Sequence, residues 1–345
     1  MKRKASDLDD KPFTIEAVKN GLENKKVEGV KDKKVPWVPD HLPPLHFLGG
    51  MFGVCGSGKT NAAILLLEDY IKHKCINRTY YIGPSYNSNA TVQKIQWTRI
   101  FSNTDQGSLA LEEIVSEIEK ANEEYIEEKE YRRAYNAWIK ARTRARKLHD
   151  PKEIKRLSKD PIENTRFEVL LERRAHEKPD PEKLKWPKPF IFIDDMTHTE
   201  MMSNTIKNKL SNLSLHYRHV GATDPHEDGV GCTVLQAFQT FKSGMPRVVR
   251  TNINIIFLFP TFNMTEIEDI YKEVANSVTF ETFKKLFFEA TQDRHDFLLI
   301  EKNPKDARKQ FGWGFNNKFI IDPVAEKRKL LFGDENESKK HSRNV

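Results

Sequence analysis

The sequence predicts an α/β fold with a mostly parallel central sheet flanked by helices and interrupted by a charged helical insertion. Three observations predict it. Short apolar runs recur along the chain, separated by stretches with helical spacing. One of these runs leads into a glycine-rich turn and then into an apolar helical stretch. Residues 108–185 break the scheme, because Glu, Lys, Arg and Ala dominate there and apolar residues are sparse. Strands buried on both faces by crossover helices read as continuous apolar runs, which is the pattern seen.

In chain order, residues 1–36 are rich in Lys and Glu and read as a mobile or loosely docked arm. A first strand is expected over 47–52 and a helix over 59–73. Further strands are expected over 79–82 (closed by Gly83-Pro84), 190–193, 232–238, 253–259 and 297–300, with one more at 315–321. The main domain then comprises residues 37–107 and 186–322, and a charged tail follows over 323–345. Within the insertion, 112–130 is strongly acidic, whereas 131–149 carries only basic charges. Tyr125, Tyr131, Tyr135, Trp138 and Ile139 give it a thin apolar stripe at helical spacing, and breaks are expected near Asp150-Pro151 and Asp160-Pro161. Two readings are open: a solvated helix pair whose opposite charges face each other, or a basic limb that touches nucleic acid or a neighbouring subunit.

The chain has 345 residues, of which 38% are hydrophobic and 31% charged, with a net charge of +7. This length is ample for one large domain. A mild basic excess suits a polyanionic partner but decides nothing alone. The three cysteines, Cys55, Cys75 and Cys232, form no C-x-x-C pair, which argues for a reducing compartment without a disulfide framework or zinc site. The first residues run into acidic ones, so no signal peptide is expected, and no stretch is apolar enough to span a bilayer. Lys2-Arg3-Lys4 reads as a solvated tail before a nuclear address.

The glycine-rich turn reads Gly53-Val54-Cys55-Gly56-Ser57-Gly58-Lys59-Thr60, the pattern G-x-x-x-x-G-K-[ST]. Glycines let backbone N–H groups approach phosphate oxygens, and a helix N-terminus favours negative charge. Lys59 is expected to reach the β- and γ-phosphates of ATP, and Thr60 to offer its hydroxyl to Mg²⁺. The run Phe190-Ile191-Phe192-Ile193-Asp194-Asp195 places two carboxylates at the end of a buried strand. Asp194 fits the residue that holds Mg²⁺, and Asp195 the one that orients and deprotonates an attacking water. Asn303-Pro304-Lys305-Asp306 has its lysine in the wrong place for a guanine-reading motif, and no nucleotide-kinase lid motif is evident.

Beyond these motifs lie Leu215-His216-Tyr217-Arg218-His219, Thr233-Val234-Leu235-Gln236-Ala237-Phe238-Gln239 and Met245-Pro246-Arg247-Val248-Val249-Arg250-Thr251-Asn252, followed by another apolar run at 255–259. This series resembles the genome-packaging ATPases of the FtsK–HerA superfamily, in particular the poxvirus-type branch shared by giant viruses, virophages and Polinton-like elements. The resemblance covers roughly residues 45–105 and 186–321. The long insertion and the extra loop near 225–231 depart from it, and many members carry Glu where Asp195 stands. It implies an ASCE-type P-loop NTPase fold in which the strand ending near Phe238 lies between the P-loop strand and the Asp194 strand. It further implies a homo-oligomeric ring that moves double-stranded DNA into a viral capsid through a portal vertex, in host cytoplasm, virus factory, virion or nucleus. Gln239 is the expected γ-phosphate sensor, with Gln236 the alternative. Arg218 and Arg250, and after them Arg247, are the candidates for an arginine supplied to a neighbour's site. His216 and His219 read as loop or interface residues. The other readings are a cellular or plasmid DNA translocase of the same superfamily and a non-motor nucleotide switch.

Overall fold

Nine strands form one sheet in the order β3-β2-β4-β5-β1-β6-β7-β8-β9. They are β1 (Leu48–Phe52), β2 (Arg78–Ile82), β3 (Arg99–Phe101), β4 (Pro189–Asp194), β5 (Thr233–Phe238), β6 (Ile255–Leu258), β7 (Leu298–Glu301), β8 (Phe311–Trp313) and β9 (Asn317–Lys318). From β3 to β6 all pairings are parallel, and β7 to β9 continue the sheet antiparallel. The computed structural model describes residues 37–103, 107–159, 177–197, 199–203, 208–222, 229–242, 244–261, 263–275 and 277–332, with no side-chain description at 157–159. The arm expected over 1–36, the break at Asp160-Pro161, most of the 225–231 loop and the tail beyond 332 lie outside the described residues. No helix among the described residues is long and apolar enough to cross a membrane.

The helices are α1 (Lys59–Lys72), α2 (Gly107–Lys147), α3 (Pro151–Lys159), α4 (Lys209–His216), α5 (Arg247–Asn252), α6 (Met264–Val274), α7 (Phe280–Ala290) and α8 (Pro323–Phe332). Side-chain caps start five of them: Asp150 accepts from the Glu153 N–H, Asn208 from the Ser211 N–H, Asn263 from the Glu266 N–H, Thr279 from the Thr282 N–H and Asp322 from the Val324 N–H. The central strands are buried throughout, and each divides its side chains between two cores by the period-two rule. On β5, Val234 and Phe238 face one core, which α2, α4, α6 and α7 complete. Leu235 and Ala237 face the other, with α1 against it. Burying each such apolar side chain stabilises the fold by roughly 1.5–3 kcal/mol.

Two expectations change at the sheet edges. The strand β3 was not foreseen, because three residues with an exposed Arg99 carry no alternation to read. The single strand expected over 315–321 is instead a turn leading into the short β9. There Gly314 adopts φ 60, and Phe315 packs from the turn onto Phe257 and Phe297, with ring centroids 6.0 and 5.0 Å apart. At the C-terminal side, residues 323–332 form a helix, and its buried Glu326 accepts a hydrogen bond from the Thr279 N–H at 3.1 Å.

The insertion begins inside the main core. Ala110, Leu111, Ile114 and Ile118 are buried there at helical spacing, and the Asn122 amide donates to the Gly221 carbonyl at 2.8 Å. A Cβ on Gly107 would come within 2.7 Å of the Met196 and Met201 methyl groups, so the helix starts seated on the chain that follows Asp195. Further along, Glu128 accepts from the Asp180 N–H and Tyr131 donates to the Glu177 carbonyl, which fastens the returning chain at the base of the arm. Beyond that base, Trp138 and Ala145 pack with Tyr135 and Ile154 in a small separate core between α2 and α3.

Among the described residues, the acidic and basic stretches of the arm lie end to end on the one helix α2, so they do not face each other as the first reading expected. Glu113 and Glu117 pair with Arg99, and Glu112 pairs with Lys209, so the start of the acidic stretch is matched to the body. The basic half of α2 is turned to solvent. Arg132, Arg133, Lys140, Arg144, Arg146 and Lys147 are exposed, and none forms an ion pair among the described residues. Arg142 stacks over Trp138 at 5.2 Å.

Candidate nucleotide site

The phosphate loop connects the end of β1 to the start of α1, as expected. Gly58 is the residue before the helix and has φ 96, a left-handed conformation that an L side chain adopts only under strain. The Lys59 ammonium lies along the loop, donating to the Gly53 carbonyl at 2.7 Å and to that of Val54 at 2.9 Å. Partial burial lowers its pKa, while Asp194 and Asp195 oppose that shift. Cys55 is an exposed free thiol in the same loop.

Asp194 ends β4, and β5 separates that strand from β1. The register brings the strand ends level: Asp194 lies beside Ala237, and the Gly53 N–H donates to the Phe238 carbonyl at 3.4 Å. Thr60 bridges the gap, its hydroxyl 3.1 and 3.3 Å from the two Asp194 carboxylate oxygens. A hydroxyl and a carboxylate that share one small space, beside a loop built for phosphate, are hard oxygen donors that fit Mg²⁺. Burial raises the Asp194 pKa, against the hydrogen bonds from Thr60 and Ser85. The neighbouring Asp195 is exposed and has φ 52. It turns away from the strand into solvent, where a substrate water can be met.

Two further partners of Asp194 were not foreseen. Ser85 donates to it at 3.3 Å and Tyr81 at 3.5 Å, and the two hydroxyls are 2.8 Å apart. The signal for them was Gly83-Pro84: a Cβ on Gly83 would stand 2.4 Å from the Asp194 carbonyl oxygen, so only glycine lets the end of β2 come this close. Burial beside Asp194 holds the Tyr81 hydroxyl well above the usual tyrosine range.

Arg294 and His295, in the loop between α7 and β7, were also missed. The Arg294 guanidinium lies over Gly56, 2.8 Å from where a Cβ would be, and His295 Nδ1 is 3.4 Å from the Ser57 carbonyl oxygen. Nothing in the sequence near Gln292-Asp293-Arg294-His295 marks them, because only the antiparallel return of β7 carries this loop to the P-loop.

Gln239 is exposed immediately beyond β5, at the level of the loop. Gln236 is fully buried within β5, between Gly50 and Ile193, and neither of its amide atoms has a hydrogen-bond partner. By the strand period it belongs to the sheet face opposite α1. An unpaired buried amide costs roughly 1–3 kcal/mol, so Gln236→Leu is expected to raise the thermal midpoint. ATP turnover of that variant should stay within about threefold of the parent, and a tenfold loss, about 1.4 kcal/mol, would make Gln236 the phosphate sensor instead.

The arginines stand elsewhere. Arg250 Nε pairs with Glu273 at 3.1 Å, its Nη1 donates to the Lys242 carbonyl at 3.0 Å, and it lies 5.5 Å over the Phe241 ring. These contacts hold the Arg250 guanidinium against its own chain. Arg247 begins α5 and has other partners in the chain. Arg218 is exposed, with Nε 2.9 Å from the Tyr217 hydroxyl, which also accepts from Asn254; Asn254 in turn accepts from the Leu48 N–H at the start of β1. Arg218 therefore sits at the opposite end of the sheet from its own phosphate loop, a strand length of about 16 Å away. There Arg218, His219 and Asn252 line a polar cleft of about 830 Å³. His216 ends α4 and is exposed.

No protein-family model matches the chain, and no curated protein matches it. Among solved structures, the chain is similar to the genome packaging NTPase B204 from Sulfolobus turreted icosahedral virus 2 in complex with AMPPCP, with 14% identity, a TM-score of 0.42, and coverage of 80% of this chain and 99% of that one. It is also similar to the pCW3 conjugation coupling protein TcpA, at 13% identity and a TM-score of 0.40, covering 83% of this chain and 64% of that one. A third is the cytoplasmic domain of the Thermomonospora curvata Type VII secretion ATPase EccC, at 13% identity and a TM-score of 0.36, covering 74% of this chain and 24% of that one.

Proposed function

We propose that the chain is an ATP-hydrolysing motor that moves double-stranded DNA, and that its cargo is a viral genome packed into a capsid. The observation that carries the hydrolytic part is the meeting of Thr60 with Asp194 at level strand ends, beside a loop along which Lys59 lies. The loop amides and the N-terminus of α1 bind the phosphates. Lys59 turns from the Gly53 and Val54 carbonyls to the β- and γ-phosphates, and Arg294 adds a second cation from the side. Thr60 and Asp194 would hold Mg²⁺, which neutralises charge on the phosphate oxygens when bound. Asp195 orients the attacking water and takes its proton, and Gln239 faces the γ-phosphate.

Arg218 cannot reach its own loop, so in this reading it serves the next subunit of a ring. The 830 Å³ cleft that it lines would then face the neighbour's nucleotide. The Arg-His, Gln and Arg-x-Asn series favours the packaging branch, and the capsid or portal is the implied partner.

The unpaired cations on the distal half of α2 support DNA as the partner. Exposed cations that form no ion pair among the described residues suit a phosphate backbone, whose recognition is sequence-independent and salt-sensitive. Replacing Arg132, Arg133, Lys140, Arg144, Arg146 and Lys147 together by Gln is expected to flatten the slope of log affinity for duplex DNA against log salt by about 3–5, at up to ~0.9 for each phosphate no longer neutralised. ATP turnover without DNA should not change. An unaltered slope removes the arm from the DNA interface, and failure of duplex DNA to stimulate the parent ATPase at low salt removes the motor reading.

A further inference from the structure

Outside the nucleotide site, one group of side chains has the composition and spacing of a metal centre: His41, Asp69 and His73. We propose that these residues bind a borderline divalent ion of the Zn²⁺ or Co²⁺ class, and that it fastens the segment ahead of β1 to the far end of α1.

Asp69 and His73 are one turn apart on α1 and so share a face. His41 comes from the turn that precedes β1, closed by the Leu42 N–H donating to the Pro39 carbonyl. His41 Nε2 is 2.5 Å from Asp69 Oδ2, and His73 Nε2 is 3.5 Å from Asp69 Oδ1. One ligand atom from each of the three residues lies within 4.8 Å of the others. Ligands at about 2.0–2.1 Å around a tetrahedral ion stand roughly 3.3 Å apart. Small side-chain rotations of about 1 Å reach that triangle without moving the backbone.

The site is open enough to load. The side chains of His41, Asp69 and His73 are 40%, 27% and 33% exposed, which leaves a fourth position for water. Asp69 lies in the last turn of its helix, where the backbone dipole disfavours a carboxylate, so a cation is called for there. Lys72 competes weakly, at 3.9 Å on a side chain 76% exposed and free to swing away. Two imidazoles and one carboxylate select a borderline metal over Mg²⁺, whereas Thr60 and Asp194 offer only oxygen. The two sites stand about 20 Å apart along the length of α1, so this one is structural to the nucleotide chemistry.

The test uses the full chain, stripped by chelator and then held in excess Mg²⁺. Zn²⁺ is titrated against a chromophoric chelator, and Co²⁺ is followed by its visible absorption. One equivalent of Zn²⁺ should bind, with affinity falling at least tenfold in His73→Ala and again in His41→Ala/His73→Ala. Zn²⁺ should raise the thermal midpoint of the parent more than that of His73→Ala and leave that of the double variant unmoved, while each variant keeps its own midpoint in chelator. Zn²⁺ bound equally well by the double variant, or not bound by the parent, overturns the assignment.

Discussion

Lys59→Ala is expected to lower ATP hydrolysis by on the order of 10³-fold while the protein stays folded. The ammonium is the one cation of the loop motif, and its removal leaves the β- and γ-phosphates with backbone amides and Arg294 alone. The fold should not suffer. Lys59 is partly buried, and burial lowers its pKa below the ordinary lysine value of 10.5. A lowered lysine pKa means that the charged form is disfavoured in the folded chain. That cost is fully present below the folded pKa, which includes neutral pH, and disappears as pH rises past 10.5. Taking the charge away therefore gives a thermal midpoint at neutral pH equal to or above the parent's. Phosphate release and a melt, measured on the same preparation, check both halves. Turnover at the parental rate would sink the hydrolytic mechanism.

The second large effect is at Asp194. Asp194→Asn should cut turnover by on the order of 10²-fold or more, and at neutral pH the variant should be more stable than the parent. The carboxylate is buried and its pKa is raised above 3.8, so its charge is held at a cost that Thr60, Ser85 and Tyr81 only partly offset. The sign follows from proton binding. Between the unfolded and folded pKa values the folded chain binds more protons, so parental stability falls as pH rises through that window and stays reduced above it. The stability advantage of Asn should accordingly vanish as pH drops below 3.8. Asparagine can still accept from Thr60 and Ser85 through its oxygen, which keeps the local bonds. Mg²⁺ with an ATP analogue should raise the parent's midpoint and do so much less in the variant. A variant less stable than the parent at pH 7 would show that the carboxylate is held by a network wider than Thr60, Ser85 and Tyr81.

Much of the sheet was legible because its strands are buried on both faces, and continuous apolar runs such as 190–193 and 255–258 stand out against a charged background. The position of β5 between β1 and β4 followed from the family resemblance rather than from the residues themselves. Short edge elements escaped, since the three residues of β3 and the two of β9 are too few to show a period. The start of the insertion escaped for another reason. Ala110, Leu111, Ile114 and Ile118 are a core stripe, yet the glutamates between them are paired with Arg99 and Lys209, so by composition alone the segment resembles solvent-facing helix. In the site, Lys59, Thr60 and Asp194 announce themselves by local pattern. Ser85 is nearly local, two residues past the glycine that lets β2 approach Asp194. Arg294 is not local at all: 238 residues separate His295 from Ser57, and only tertiary folding unites them.

The 41-residue α2 has a mechanical consequence. A continuous helix of that length is a rod of about 60 Å, stiff because every turn is hydrogen-bonded to the next. Its first turns are gripped by the main core through Ala110, Leu111, Ile114 and Ile118, and the returning chain fastens it at Glu128 and Tyr131. Only the basic length beyond Tyr131 stands clear of that core, with its own small core against α3. This overhang is about 24 Å long at about 1.5 Å per residue. Held so firmly at its root, it is an outrigger: a flex of about 5° there moves the tip only about 2 Å, less than the roughly 3.4 Å rise between successive base pairs in one strand of a duplex.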